Sequence, residues 1–282
     1  MKLKAARSSV VFLCAVAIGF ALALLSVADF DLNTAVGIWH MDEGEGDMAA
    51  DSSASGDDGT LWREPAWVDG KFGKALQFDG QSFVWMREAK GVVEGVSPRT
   101  LMCHFKWNEI NDWGDAIHWL SDAEALISTG KHNFHQSITL MIASEGGVGG
   151  GLGVESFADR LYYVWDADTE WHHLAAVLPD DGQALADFQI YFDGELQEET
   201  EFLDALGGDV ATVGGEIAIA SWTGGPSNFF NGTLDDVAVF PYAMPAEDIA
   251  NIAKRGLVKG QALDVSPRSK LATSWGALKE RD

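Results

Sequence analysis

Ten residues near the end of the chain, Asn231 to Phe240 (NGTLDDVAVF), carry apolar side chains at both odd and even positions. Successive side chains on a strand point to opposite faces, so Val237 and Val239 are expected beside Asp235, and Leu234, Ala238 and Phe240 beside Asp236. A strand apolar on both faces must be covered on both, which places it inside a layered fold. One of the two adjacent acids then points inward, and a buried carboxylate needs a cation, a hydrogen-bond donor or a proton.

Shorter runs of the same kind precede it. Val36 to Asp42 reads as a first strand, followed by a Gly- and Asp-rich loop from Glu43 to Asp58. Ala75 to Phe78 and Ser82 to Met86 read as a hairpin across Asp79-Gly80, a strong two-residue turn signal. Thr100 to Trp107 is a further strand, and Asn108 to Ala125 an inserted loop carrying Trp113 and Trp119. Strands follow at Leu126 to Ser128, Ser137 to Ala143 and, after a Gly-rich bend at Gly146 to Gly153, Leu161 to Trp165. Trp171 to Leu178 pairs with Asp187 to Phe192, Asp193-Gly194 turns into Glu195 to Gln197, and Glu216 to Ser221 leads to the closing strand. Many short strands with turn chemistry between them predict an all-β, two-sheet antiparallel β-sandwich or jelly roll. The exception is one short helix, with Pro245 in its first turn, Glu247 and Asp248 near its start, Ile249, Ile252 and Ala253 on one face and Gly256 as its stop; it is expected to cap one end of the sandwich.

The first residues hold Lys2, Lys4 and Arg7, then an apolar run from Val10 to Ala28 ending Ser26-Val27-Ala28. This predicts a signal peptide over residues 1–28 cut after Ala28, or an anchor if it stays uncut. Removing it takes three bases and no acids, so the formal charge moves from -24 to -27. That charge disfavours nucleic acid and anionic membranes and favours cations. With Cys14 removed, Cys103 has no partner, so an exported domain gains nothing from an internal disulfide, and a bound metal is one substitute. The domain is expected over residues 29–260, with 261–282 a tail of unassigned structure.

Several motifs then converge. Trp39 through Met41-Asp42-Glu43, Asp51-Ser52-Ser53 with Gly59, and Gly70-Lys71-Phe72-Gly73-Lys74-Ala75-Leu76-Gln77-Phe78-Asp79-Gly80 resemble the laminin G-like jelly rolls of the concanavalin A-like lectin/glucanase superfamily. Trp171-His172-His173-Leu174-Ala175 with Tyr191-Phe192-Asp193-Gly194 is similar to that family's central hairpin. Phe229 to Val237 with Pro245 to Ile249 is similar to its closing strand and helix. The resemblance implies that the first and closing strands are neighbours. It also implies a structural calcium ion held first by Asp235 and then Asp236, with Asp42, Glu43, Asp51 and Asp79 as further contributors. Calcium takes six to eight hard oxygens, carbonyls included; the alternative is that Asp235 is only hydrogen-bonded to loop amides.

Glucan-cutting members of the superfamily alternate carboxylates along one strand, because acid and nucleophile must flank one bond at fixed separation. Glu43-Gly44-Glu45-Gly46-Asp47 is the nearest text, but its glycines place it in a loop, so no catalysis is expected. His132 and His135 are expected at the surface; His172 and His173 sit in a strand, one facing each way. Of eleven tryptophans, Trp39, Trp85, Trp107 and Trp171 are assigned to the core. Trp62, Trp67, Trp113, Trp119 and Trp222 lie in or beside loops, where indoles can stack on sugar rings, and are the expected ligand-binding set. The expectation is a secreted or cell-envelope-exposed recognition module for a polysaccharide or glycoconjugate. The alternatives are a structural or adhesive protein that binds another surface protein, and a degenerate glucanase.

Overall fold

A computed structural model describes residues 32–108, 123–133, 135–145, 149–156, 159–203 and 210–257. Trp113, Trp119, the N-terminal apolar run and the 261–282 tail lie outside the described residues.

Two antiparallel sheets stack face to face. The first runs from edge to edge Glu195–Leu196, Gln189–Phe192, Trp171–Leu178, Arg99–Trp107, Asn231–Phe240, Lys74–Asp79, Ala66–Asp69, with Gly37–Trp39 also paired to the closing strand. The second runs Thr200–Leu203, Asp159–Trp165, Gly149–Ser156, Ser137–Glu145, Ala123–Gly130, Gly215–Ile219, Phe83–Ala89, Gly59–Trp62, Met48–Ala49. The closing strand is the hub of the first sheet, bonded to the first strand through Trp39↔Val237 and to Thr100–Trp107 and Leu76–Asp79. Between the sheets lies one core that includes Trp39, Leu76, Phe105, Trp107, Ile142 and Val239. Truncating one of its large aromatics to alanine costs about 3–5 kcal/mol.

The helix α1, Ala246–Arg255, begins after Pro245 and ends at Gly256, whose φ of 72° suits glycine. Its first-turn acids and last-turn bases follow the helix dipole. It does not cap an end of the sandwich. Ile249 and Ile252 pack with Met102, Ala175, Val177, Ala238 and Phe240, so the helix lies across the outer face of the first sheet.

Three expectations are corrected. Lys74–Asp79 and Phe83–Ala89 are not a hairpin but belong to different sheets. The Asp79 carboxylate accepts the amides of Gln81 and Ser82, which turns the chain through a corner from one sheet to the other. Of the expected Gly146 to Gly153 bend, 146–148 lie outside the described residues and the rest belongs to the strand Gly149–Ser156, where a side chain at Gly153 would collide with the backbone of Leu161 and Tyr162. Third, the closing strand carries a bulge between Asp235 and Ala238, with Asp236 at a φ of 48°. Leu234 therefore packs in the inter-sheet core with Val237 and Val239, not with Ala238 and Phe240 on the helix side.

Candidate functional site

Along the strand Phe83–Ala89, Val84 and Met86 enter the inter-sheet core, while Phe83, Trp85 and Arg87 lie on the outer side, Phe83 buried beneath its aromatic neighbours, Trp85 half-buried and Arg87 exposed. The alternation breaks at Glu88, which is exposed. The neighbouring strand brings Thr60 opposite Trp85 and Trp62 opposite Phe83. Trp62 and Phe83 stack with centroids 6.1 Å apart, Trp85 meets Trp62 edge-on at 6.0 Å, and Phe229 extends the group 5.8 Å from Phe83. Trp62 is 39% exposed. Two guanidinium groups border this aromatic shelf: Arg63 lies 5.2 Å from the Phe229 ring centre, and Arg87 4.1 Å from that of Trp85 and 5.1 Å from that of Trp62. Beside it, where Phe83–Ala89 runs past the end of Gly59–Trp62, an open recess of about 440 Å³ is lined by Asp57, Asp58, Thr60, Trp62, Trp85 and Arg87 among others. Flat aromatic faces, fixed donors and a recess can seat a sugar ring by stacking and bond its hydroxyls.

The acids occupy a different part of the molecule. The bulge turns both Asp235 and Asp236 toward the helix side of the first sheet, where each meets backbone amides. Asp235 Oδ2 accepts the Phe72 amide at 2.8 Å. Asp236 Oδ2 accepts the Leu257 amide at 2.7 Å, and its Oδ1 lies 2.8 Å from His40 Nδ1. Asp42 Oδ1 accepts the Lys74 amide at 2.9 Å. Glycine makes these approaches possible: a side chain at Gly73 or Gly256 would collide with the Asp42 or Asp236 carboxylate. Asp51 accepts the amides of Ile38, Ser53 and Asp57, Asp79 serves its own corner, and Glu43 is exposed in a loop. The six acids are thus not gathered around one point. Among the described residues no group of three or more His, Cys, Asp or Glu is arranged to hold a metal ion. Calcium needs six to eight oxygens, whereas most oxygens here already accept hydrogen bonds, so the seam as folded fits that ion poorly. Asp235 Oδ1 is the exception, being buried without a hydrogen-bond partner.

Burial pushes Asp235 up to about 7, with the nearby charge of Asp236 adding to it against the Phe72 amide. Across the sheet Asp235 is paired with His104, and His104 with His173. The two rings lie 4.7 Å apart, and both are buried. Burial holds His104 down at about 4 and His173 well below the ordinary imidazole range. The row is a buried polar seam under α1.

Of the expected tryptophans among the described residues, the shelf includes Trp62 alone. Trp67 is half-buried on the first sheet and donates to Gly46 O, and Trp222 stacks on His132 at 4.9 Å. Trp39 and Trp107 are buried as expected, but Trp85 and Trp171 are only partly so. His135 is buried 3.4 Å from Asp159 rather than at the surface. His172 and His173 do face opposite ways, His173 toward α1 and His172 toward the second sheet, against Phe105 and Trp165 and between Asp168 and Asp193. Phe83, Trp85 and Arg87 were missed as a set, because exposed charges stand on both parities of their strand, at Arg87 and Glu88.

The family profile described as concanavalin A-like lectin/glucanases superfamily, laminin G type, matches residues 96–250. Domain 4 of AbnA, a GH43 extracellular arabinanase from Geobacillus stearothermophilus solved with arabinotriose, is similar with a TM-score of 0.54 and 20% identity over 78% of this chain and 98% of that one. The botulinum neurotoxin serotype G binding domain gives 0.52 at 14% identity over 78% and 50% of the two chains. Botulinum neurotoxin type C, whose cell entry is dependent upon interaction with two ganglioside molecules, gives 0.51 at 12% identity over 80% and 52%. This chain spans about half the length of those two neurotoxin chains, and at such identities the likeness is one of fold. A comparison with curated protein sequences gives no match.

Proposed function

This chain belongs to the laminin G-like family of the concanavalin A-like lectin/glucanases superfamily, and we propose that it is a non-catalytic recognition module that binds a glycan on the exposed indole of Trp62, with Phe83 and Trp85 packed behind it. The observation that carries this reading is the exposed indole of Trp62, stacked in place beside a recess large enough for a sugar ring. A large apolar side chain left in water on a sheet face is a cost that ligand burial repays. The arabinotriose complex and the ganglioside-dependent toxin are consistent with glycan recognition on this fold, by analogy only. The non-catalytic reading is supported by Glu43, Glu45 and Asp47, which stand in a loop before Met48 rather than alternating along a strand.

The test is a glycan array followed by titration calorimetry of the hits. Trp62→Ala should weaken binding by about tenfold or more, the scale of one lost stacking face, with an unchanged melting temperature. Binding that survives Trp62→Ala undiminished places the ligand elsewhere. Export is proposed from the basic and apolar N-terminal text; a mature chain whose mass begins at Asp29 supports it, and a cytosolic full-length chain refutes it. For calcium, the free Oδ1 of Asp235 supports at most a weakly held ion at that atom.

A further inference from the structure

We propose that the recess selects an acidic sugar, with a carboxylated ring lying against Trp62 and its carboxylate paired to Arg87. This rests on the glycan reading and names its substrate class. The chain has 19 Lys and Arg against 43 Asp and Glu, so bases are scarce on its surface. Yet Arg87 and Lys90 line this recess, and Arg63 borders the far end of the shelf.

Arg87 is held but not used. Its guanidinium lies over Trp85 and near Trp62, and it makes no hydrogen bond or ion pair among the described residues. A guanidinium carries five N–H donors in a planar fork that matches a carboxylate, and a neighbouring indole fixes it without consuming those donors. The other two bases already have backbone work: Arg63 donates to Gln81 O at 3.2 Å, and Lys90 Nζ to Ser55 O at 3.4 Å.

None of the three acids lining the recess, Asp57, Asp58 and Glu88, is paired with Arg87 among the described residues. Asp57 Oδ2 accepts the amides of Lys90 and Gly91 at 2.8 and 2.7 Å, and Asp57 is buried. Asp58 Oδ1 accepts the Asp51 amide at 2.8 Å. Glu88 also lines the recess and is exposed, but it forms no ion pair with Arg87 among the described residues. The recess therefore joins an apolar ring face to one unsatisfied cation. A neutral sugar would use only the first; a uronic-acid ring uses both. Repulsion from the acidic remainder of the protein is screened beyond about 8 Å at physiological ionic strength, while a contact inside the recess is not.

The experiment is titration calorimetry of the full chain at physiological salt with oligogalacturonate, oligomannuronate and hyaluronan fragments, each against its carboxyl-reduced counterpart. At least one acid should bind about tenfold more tightly than its reduced form, the scale of a charge-assisted fork. Arg87→Gln should remove that discrimination, Arg87→Lys should retain part of it, and Trp62→Ala should weaken both forms. Equal affinity for acid and reduced forms, discrimination that persists in Arg87→Gln, or preference for a sulfated over a carboxylated chain overturns the proposal. In those cases Trp62-dependent binding of the neutral oligosaccharides leaves the glycan reading standing. Failure of every acidic and neutral sugar removes both.

Discussion

The outer faces of the two sheets handle their awkward residues in opposite ways. On the first sheet, carboxylates and imidazoles are sealed beneath α1 and the Gly70–Lys74 turn, with Asp235, Asp236, His104 and His173 all buried. On the second, the Trp62 indole and the Arg87 guanidinium stand open to solvent at the Trp62–Trp85 shelf. A buried charge must be answered by the fold itself, and here amides, a histidine and protons answer it. An exposed aromatic is answered from outside. The sealed face therefore governs stability, and the open face is available for recognition.

Variants can break that contrast. The largest expected effect is on the sealed face: Asp236→Ala strands the Leu257 amide and His40, and removing one partner of a buried polar pair costs about 3–5 kcal/mol. Chemical denaturation measures it, and a loss below about 1 kcal/mol would show that the seam does not anchor the helix.

The next effect is in pH. The Asp235 carboxyl is raised to about 7 in the fold from 3.8, so its contribution is full below pH 3.8 and is lost as pH rises toward 7. His104 is lowered to about 4 from 6.5, so its contribution is full above pH 6.5 and is lost as pH falls toward 4. Across that window the two slopes oppose one another. Asp235→Asn removes the first and leaves the second: its stability should climb more steeply from pH 4 to 7 than that of the parent, and at pH 8 it should be the more stable by about 1–3 kcal/mol. Parallel melting curves across the range would refute this assignment.

On the open face, Trp62→Ala should move stability by less than about 1 kcal/mol while abolishing most glycan affinity. A large loss of stability would make the shelf structural. The smallest effect is calcium: melting temperature should rise slightly in calcium over chelator, and Asp235→Ala should remove the increment. Identical curves with and without chelator dismiss the ion.

How much was legible beforehand varies with the residue. Two near-identical turn texts, Gln77-Phe78-Asp79-Gly80 and Tyr191-Phe192-Asp193-Gly194, both read as hairpins. The second is one, with Phe192 paired to Glu195. The first is a corner between sheets, because Ser82 offers its amide and hydroxyl to Asp79 and the strand before it is claimed by the distant closing strand. A local turn signal cannot report that competition. Asp235 and Asp236 were legible as buried acids in need of partners, but not the bulge that turns both to one side, nor the Phe72 and Leu257 amides that supply the partners. Trp62 was legible as exposed because it sits beside polar loop text. Trp85 was not, since its strand is apolar on both parities and carries an exposed charge on each, Arg87 and Glu88.

By itself the sequence determined that this chain is a stack of short strands with one capped helix, that its closing strand is covered on both sides, and that its acids and tryptophans exceed what a core requires. Those are properties of spacing and composition, which a period of two expresses locally. Only the tertiary structure decided which parity of each strand meets the other sheet, where the helix lies, and which distant amides reach which carboxylates. Those outcomes depend on pairings between residues more than a hundred positions apart, such as Phe72 with Asp235, and no local pattern encodes such a choice among equally apolar faces.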